Sequence, residues 1–323
     1  MTDFKAISGK RIRFLTSDLT MSTATEGELF YSDSGKKFKV GVFVQAWSSA
    51  TNLPNATGGA RGLGTLTAGL VTAGRVSGTG VAETYEYDGT DWTAGGDVNN
   101  ARAYHAAMGT QTAGLICGGN PVMAHSEEYD GSSWTEGSNL NDARQYMASA
   151  GTQTAGLESM GGNAVGATTG NTEEYNGTSW TEVTDNPTAR KCISSIGTQT
   201  AAIMVGNNAS ESTQTEEYDG TNWTEGATIN TARKYIGGFG TSTAAIIMAG
   251  LSQPGAELNV TETYDGTSWT TIPATVATAR YDQANAGIKT AGWIAGKAAG
   301  SGSVGAQVEE FTEAITLKTV TDS

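Results

Sequence analysis

Short segments in which hydrophobic and small polar residues alternate follow one another along most of the chain, separated by turn-forming Gly, Asp, Asn and Thr. In one stretch these segments span residues 104–109, 113–118, 126–129 and 133–136. No segment keeps apolar residues at helical spacing over three turns, so we do not expect helices. The pattern predicts an all-β chain made of short strands joined by tight turns.

The same unit recurs down the chain. Its end is marked by a tyrosine, then Asp-Gly or Asn-Gly, then a tryptophan, and five such tyrosines lie 42, 46, 43 and 46 residues apart. Its beginning is marked by an Ala-Arg pair, which occurs at Arg61, Arg102, Arg144, Arg190, Arg233 and Arg280. A fixed period of this length indicates a repeat architecture, here with six units.

Four short strands in a unit of about 45 residues are typical of a β-propeller blade. A flat solenoid is the alternative, but a solenoid needs polar caps at its ends, whereas a propeller closes on itself. The sixth unit lacks the tryptophan-bearing fourth strand, and residues 42–47, which include Trp47, can supply it. We expect six four-stranded blades, the sixth built from both ends of the chain, because this closure removes free sheet edges.

Each unit has the same order of marker residues. An Arg opens the first strand, a double glycine ends the second, Tyr-Asp closes the third and Trp lies in the fourth. The double glycine is Gly118-Gly119 and Gly161-Gly162 in two units, and it is relaxed to Gly206, Ala249-Gly250 and Ala295-Gly296 in later ones. This order resembles the kelch repeat of galactose-oxidase-like propellers, over about residues 41–311. We expect the repeated arginines to pair with the Glu-Glu of a nearby third strand, although an arginine ring at one face could also bind acidic groups.

The first 40 residues lie outside the repeat and carry seven of the 19 basic residues. Within them, residues 27–40 predict a β-hairpin around a Ser-Asp-Ser-Gly turn. A two-stranded hairpin is marginally stable alone, so it should dock on the repeats or on another chain. We therefore divide the chain into an N-terminal β docking element, 1–40, and a propeller with a short C-terminal tail, 41–323.

Composition narrows the classes of partner. The chain has 44 Gly, 16% charged residues and a formal net charge of −14, which argues against nucleic acid or an anionic membrane as partner. No apolar run is long enough to span a membrane, and the N-terminus does not read as a secretory signal. Cys117 and Cys192 occupy different positions of their repeats, which favours separate thiols over a disulfide.

Catalytic chemistry finds little support in the residues. A copper site of the galactose-oxidase type needs His and Tyr ligands. His105 and His125 are better interpreted as buried or loop histidines than as copper ligands. The Asp-Gly turns lack the spacing of a calcium loop, and no serine nucleophile motif or phosphate loop occurs in the right context. We expect no enzyme activity, no catalytic residues, no metal and no cofactor. The candidate contact surface is the set of Gly-, Ser- and Asn-rich loops that join second to third strands, 120–126, 163–172, 207–215, 251–261 and 297–307.

The N-terminal segment provides a second resemblance. Residues 15–20, 25–32 and 35–36, together with the recurring Gly-Thr-Gln-Thr-Ala, resemble tail-fibre and other virion proteins of marine bacteriophages, notably cyanophages. The resemblance implies a non-enzymatic virion structural protein, of tail-fibre or capsid-decoration type, made in the host cytoplasm and located in the virion. Its expected partners are other virion proteins, through the N-terminal element, further copies of itself and a host-surface glycan. The rival interpretation is a carbohydrate-binding adhesin.

Overall fold

The structure is a computed structural model that describes residues 13–15, 29–32, 37–191, 194–206, 213–252, 254–298 and 304–320. Regular secondary structure within these residues is entirely β, and no helix among them is long and apolar enough to span a membrane. By its internal contacts the chain divides into two units. The larger unit is Trp47–Phe311, and the smaller one combines Met1–Ala46 with Thr312–Ser323.

The larger unit contains five complete four-stranded antiparallel sheets, or blades, in chain order. Blade 1 comprises β4 (Arg61–Thr65), β5 (Ala68–Val76), β6 (Thr79–Tyr87) and β7 (Trp92–Ala94). Blade 2 comprises β8 (Ala106–Thr110), β9 (Ala113–Cys117), β10 (Ser126–Tyr129) and β11 (Trp134–Glu136). Blade 3 comprises β12 (Ala148–Thr152), β13 (Ala155–Ser159), β14 (Thr172–Tyr175) and β15 (Trp180–Glu182). Blade 4 comprises β16 (Ser194–Thr198), β17 (Ala201–Val205), β18 (Thr215–Tyr218) and β19 (Trp223–Glu225). Blade 5 comprises β20 (Gly237–Thr241), β21 (Ala244–Met248), β22 (Thr261–Tyr264) and β23 (Trp269–Ile272).

Blade 6 uses strands from both ends of the sequence. Its first three strands are β24 (Ala284–Ile288), β25 (Ala291–Ala298) and β26 (Val304–Thr319), and its fourth is β3 (Lys37–Ala50). Trp47 lies 5.3 Å from Phe311, ring centre to ring centre, as Trp134 lies 4.9 Å from Tyr129 in blade 2. The Trp47 indole N–H donates to the Thr261 hydroxyl at 3.1 Å, as the Trp134 indole does to Thr84. The predicted closure by an N-terminal strand is confirmed.

The first strands of the blades surround a common axis. Each contacts the first strand of the next blade, and the contact of β24 with β4 closes the cycle. The molecule therefore contains the six-bladed, all-β propeller that the repeats predict, and it is consistent with kelch-type repeats. The hydrophobic core lies between blades, where Tyr175 and Trp180 of blade 3 pack against Leu115 and Met108 of blade 2.

The smaller unit contains β1 (Arg13–Leu15), β2 (Leu29–Ser32), the beginning of β3 and the end of β26. β2 pairs antiparallel with β3, from Leu29 opposite Val40 to Ser32 opposite Lys37, so the predicted hairpin forms, and its turn lies outside the described residues. β1 pairs parallel with β2. Along the end of β26, Ile315 and Leu317 are half-buried between exposed neighbours, which matches the alternation expected of the C-terminal tail.

Candidate functional site at the axial mouth of the propeller

Five of the repeated arginines are buried at the same position of blades 2 to 6. Arg102 donates to the main-chain carbonyls of Asn100 and His125, each at 3.0 Å, and forms an ion pair with Glu127 of the third strand. The other pairs are Arg144 with Glu173, Arg190 with Glu216, Arg233 with Glu262, and Arg280 with Glu309. The expected structural pairing is confirmed for these five. Their guanidinium groups are 0–1% exposed, so none of them is presented to an external anion.

Arg61 is an exception, and its predicted place in the repeat is wrong. Arg61 pairs with Thr72 in blade 1, at the register position where Ala106 pairs with Cys117 in blade 2. The Ala-Arg pair of blade 1 thus lies four residues later in the unit than the other five. The position of the buried arginine is taken by Thr57, and the position of its glutamate is taken by Tyr85, whose hydroxyl accepts a hydrogen bond from Asn55 at 2.8 Å. Blade 1 therefore lacks both members of the pair, and Arg61 stays half-buried beside the axis.

The double-glycine position needs a similar correction. In blade 2, Gly118 and Gly119 have φ of 62° and 123°, and in blade 3 the corresponding residues are Met160 and Gly161, with φ of 63° and 108°. The register is also clear from the arginines, because Arg102 donates to the Gly118 carbonyl and Arg144 donates to that of Met160. In blade 6 Gly296, which accepts from Arg280, is the first residue of the pair and not the second.

Other repeated side chains link each blade to the one before it. The Tyr129 hydroxyl donates to Glu86 at 2.5 Å, and four further pairs follow the same rule. They are Tyr87 with Glu310, Tyr175 with Glu128, Tyr218 with Glu174, and Tyr264 with Glu217. In the Gly-Thr-Gln-Thr-Ala segments, Gln111 donates to two main-chain carbonyls of blade 1. Gln153 makes the same two contacts with blade 2, and Gln199 makes them with blade 3.

The Asp-Gly turns between third and fourth strands are local capping devices. One carboxylate oxygen of Asp130 accepts hydrogen bonds from the main-chain N–H groups of Ser132 and Ser133 and from the Ser132 hydroxyl, which lowers the pKa of Asp130 to about 2. Asn176 accepts the same two main-chain bonds with its amide oxygen. The exchange of Asp for Asn thus preserves the turn, as its backbone role predicts.

The two histidines and the cysteines do not form a metal site in the part of the chain that is described. His105 is fully buried beside Thr72, whose hydroxyl lies 2.8 Å from its Nε2, and burial lowers its pKa well below the ordinary value. His125 lies in an exposed loop. Among the described residues no group of three or more His, Cys, Asp or Glu could hold a metal ion. Cys117 is a buried free thiol, and Cys192 lies outside the described residues.

Main-chain hydrogen bonds connect neighbouring blades near the axis, where the first strands begin. Tyr104 donates to Gly59 and Tyr146 donates to Tyr104, each at 2.8 Å, while Asp282 donates to Tyr235 and Gly59 donates to Asp282. All five residues have left-handed backbone conformation, with φ between 54° and 66°. This conformation turns each N–H toward the preceding blade. It costs about 1–2 kcal/mol for a residue other than glycine, so the position favours glycine, which only blade 1 has among the described blades.

Tyrosines occupy this costly position in three blades and form a continuous cluster with Tyr281. The rings of Tyr104 and Tyr146 stack with centres 4.1 Å apart. Tyr235 lies 6.0 Å from Tyr146 and 5.7 Å from Tyr281. A Cβ at Gly59 would come within 2.5 Å of the Tyr104 ring, so the glycine of blade 1 leaves space for that ring. We call these four tyrosines, together with Asp282, the axial mouth.

A polar cavity of about 170 Å³ runs along the first strands and reaches the axial mouth at Tyr235 and Asp282. Its wall includes Arg61 and the side chain of Gln283, which is 4% exposed and whose amide oxygen and nitrogen have no hydrogen-bond partner among the described residues. Burial raises the pKa of Asp282 to about 6, although Arg61 and the nearby Arg75 oppose this shift. The cavity thus combines a buried carboxyl, a guanidinium group and an unsatisfied amide.

The sequence contains a signal for this site, which the repeat analysis missed. A tyrosine follows two residues after the arginine in three units, at Tyr104, Tyr146 and Tyr235, and each could have been identified as a repeated aromatic beside a turn. The predicted contact loops lie at the same face, because the second strand runs from the opposite end of the blade back toward the mouth. Asn120, at the start of one loop, donates from its side chain to Gln145 at 2.7 Å. Most of loop 207–215 lies outside the described residues.

Comparison with known proteins adds no family to the geometry. A scan against protein-family models finds no match, and a search of the curated proteins finds none either.

Proposed function

We propose that this chain is a non-enzymatic structural protein of a bacteriophage virion, which carries a kelch-type propeller on the tail or capsid surface and contributes to host attachment. The observation that carries the proposal is the course of β3 and β26. Both strands complete blade 6, and both have residues in the smaller β unit as well. A propeller whose two closing strands also belong to a second β unit suits a module that an assembly holds and presents.

The use of the repeated side chains supports a display role. The buried Arg–Glu pairs lie within blades, and the Tyr–Glu and glutamine contacts join neighbouring blades. These residues contribute to the cohesion of the propeller, as is expected of a rigid scaffold. Residues 15–20, 25–32 and 35–36 and the Gly-Thr-Gln-Thr-Ala segments support the virion context, through their resemblance to proteins of marine bacteriophages and notably cyanophages.

In this proposal, the N-terminal element binds other virion proteins, and the protein is made in the host cytoplasm before assembly. The rival function is that of a carbohydrate-binding adhesin, and the observation that favours it is the tyrosine-lined axial mouth beside a polar cavity. The two functions are compatible in one molecule. They differ in whether the chain is a stoichiometric part of a virion.

The direct test is quantitative mass spectrometry of purified virions, with this chain counted against the major capsid protein. A fixed copy number supports the proposal, and its size separates a few tail fibres from a decoration of the whole capsid. Absence from virions would refute the proposal and leave the adhesin. A variant without residues 1–40 should lose incorporation while its propeller keeps its circular dichroism spectrum, and undiminished incorporation would contradict the docking role.

A further inference from the structure

We infer that the axial mouth binds the terminal residue of an acidic saccharide, with its carboxylate or sulfate held by Arg61 and Arg75 and its sugar ring packed on the tyrosines. The inference rests on the proposed function, because host attachment requires that a displayed propeller has an external ligand. It goes further by naming the site and the chemistry of that ligand.

The first support is the identity of the residues around the axis. The main-chain hydrogen bonds between blades explain the left-handed backbone at this position. Glycine would adopt the same conformation with less strain, as Gly59 does. Tyr146 and Tyr235 stay partly exposed in spite of their ring contacts. Strained residues that persist without a need of the fold are found at ligand sites. Partly exposed tyrosine rings beside polar groups offer flat apolar faces to the C–H groups of a sugar.

The second support is the distribution of charge. In a chain of net charge −14, the mouth side of the blades carries Arg61, Arg75, Lys191 and Lys234 in addition to the five buried arginines and Lys297. None of the four forms an ion pair with any residue that the structure describes, whereas Lys297 pairs with Glu257 at 3.6 Å. The Arg75 guanidinium lies 4.9 Å from the centre of the Tyr104 ring, and the Lys234 ammonium 5.6 Å from that of Tyr235.

Arg75 and Lys234 thus lie against rings of the axial mouth. The carboxylates of the Asp-Gly turns, such as Asp130 and Asp265, lie at the opposite end of the blades, because those turns follow third strands that run away from the mouth. An anion at the mouth is therefore remote from the carboxylates of the Asp-Gly turns.

The third support is the cavity itself. The Gln283 amide is nine-tenths buried, lines the cavity and has no partner among the described residues, although a buried amide is normally hydrogen-bonded. A hydroxyl group of a ligand can both donate to its oxygen and accept from its nitrogen. The volume of about 170 Å³ is below that of pockets for drug-sized molecules, so the cavity admits one terminal group and not a folded segment.

An acidic peptide is the competing ligand, and the geometry favours the saccharide. A peptide needs partners for its main-chain N–H groups, and the acceptor at the mouth, Asp282, faces two arginines. A terminal sugar offers what the site lacks, which is several hydroxyl groups for Gln283 and an anionic group for the arginines. It also offers a ring face for Tyr146 and Tyr235.

The test is isothermal titration calorimetry of the full chain with 3′-sialyllactose, digalacturonate and a sulfated disaccharide, with lactose as the neutral probe. At least one acidic probe should bind, and lactose should bind at least about tenfold more weakly. Arg75→Gln should weaken acidic binding by about tenfold or more, since it removes one charge-assisted contact. Lys289→Gln is the matched control, because it removes the same charge from a first-hairpin turn at the opposite face, and it should leave the affinity unchanged.

Tyr146→Gly tests the aromatic surface without backbone strain, because glycine already occupies the equivalent position in blade 1. It should weaken acidic binding by about tenfold while the circular dichroism spectrum is retained. The inference is overturned if none of the acidic probes binds, or if Arg75→Gln and Tyr146→Gly bind like the parent chain. If both variants weaken the binding of a glutamate hexapeptide to the same extent but do not affect the binding of the saccharides, the ligand is an acidic peptide and not a saccharide. Virion mass spectrometry decides the proposed function separately, so each can fail while the other stands.

Discussion

Replacing Glu127 by Gln should destabilise the propeller far more than its size suggests. The Glu127 carboxylate is fully buried, pairs with Arg102 and accepts hydrogen bonds from the main-chain N–H groups of Asn99, at 2.6 Å, and Asn100, at 3.1 Å. Burial lowers the pKa of Arg102, and the charge of Glu127 is the main effect that opposes this shift. The substitution preserves the shape, but it leaves a buried guanidinium charge without its counterion and replaces one accepting oxygen by an NH2 donor.

The magnitude follows from what remains around Arg102. Its N–H groups keep the carbonyls of Asn100, Gly118 and His125, so the loss consists of the missing counterion and of the main-chain N–H that met the replaced oxygen. Removing one partner of a buried ion pair typically costs about 3–5 kcal/mol, and we expect about 3 kcal/mol here because the carbonyls still solvate the guanidinium. The free energy of unfolding from urea titration, followed by tryptophan fluorescence, measures it. Glu136→Gln, on the exposed face of the next strand, should change it by less than about 0.5 kcal/mol.

Blade 1 shows how the pair can be removed without this penalty. Thr57 and Tyr85 occupy the two positions there, and the Tyr85 hydroxyl is held by Asn55. The double variant Arg102→Thr with Glu127→Tyr copies that arrangement, and Asn100 is the counterpart of Asn55. It should lose less stability than Glu127→Gln alone. It should also lose at least about 1 kcal/mol less than the sum of the losses of its two single variants, Arg102→Thr and Glu127→Tyr. Strictly additive losses, or a loss below about 1 kcal/mol for Glu127→Gln, would refute the electrostatic explanation.

Four further changes test the blade contacts and the buried acids, each by urea or thermal unfolding. Ala107→Ser should stabilise by about 0.5–1 kcal/mol, because the Ser149 hydroxyl at the same position bridges the N–H and C=O of the preceding blade; no gain would contradict the register. Gln153→Leu should destabilise by about 1–3 kcal/mol, because two main-chain carbonyls of the preceding blade lose their donor, and an unchanged midpoint would deny the glutamine that role. Glu158 is fully buried, and burial raises its pKa to about 8 from its ordinary 4.5 although its ion pair with Arg144 opposes this shift, so the native state holds a proton that the unfolded chain releases between these values. Stability should therefore fall as pH rises from about 4.5 to 8, and Glu158→Ile, with the residue type of neighbouring blades, should remove that slope; a persistent slope would place its origin elsewhere. The pKa of Asp282 is raised to about 6 from 3.8. Its ionised carboxylate therefore destabilises the fold to its full extent above pH 6, and this effect disappears as the pH falls toward 3.8. Asp282→Asn should thus raise stability at pH 7.5 by up to about 3 kcal/mol and leave it unchanged at pH 4, whereas an equal effect at both values would exclude titration as its cause.

The number of blades and the closing strand could be predicted because the sixth unit lacks a strand that a complete blade requires. The sixth unit has no tryptophan strand, and Trp47 is the tryptophan that remains without a repeat of its own. Its contacts with Phe311 and Thr261 reproduce those of the other blades. The burial of the five arginines was predictable for a related reason, since a residue that recurs in every blade is constrained by the blade.

The register of individual positions was less predictable, because a short motif can recur by chance at the wrong place. Ala60-Arg61 matches the Ala-Arg pair in letters, but Gly64 fixes blade 1 in the register of Gly109, and this puts Arg61 four residues away from the buried position. The extra glycine of blade 3, Gly162, similarly hides the fact that Met160 takes the left-handed position. Only the strand pairing separates such coincidences from equivalence.

The axial mouth was not predicted, because some of its residues do not recur in the repeats and come together only in the folded protein. Tyr281 occupies a position that is glycine, alanine, glutamine or lysine in the other blades, and Asp282 a position that is otherwise tyrosine or glycine among the described residues. Neither residue stands out along the chain. They become a site only where the sixth blade meets the first around the axis, next to Arg61.

Positions where a blade departs from the repeat come in two kinds, and the difference locates function. At one kind the partner changes as well: Thr57 with Tyr85 replaces an ion pair, and where Phe311 lacks the tyrosine hydroxyl, Thr263 of blade 5 occupies the position of the glutamate acceptor. Such paired departures preserve cohesion and need no ligand. At the other kind no partner compensates, as for the Gln283 amide, which remains unsatisfied among the described residues. The indole N–H groups of Trp180 and Trp269 are also unsatisfied among the described residues, but the Gln283 amide lines the cavity below the axial mouth, where a ligand can reach it.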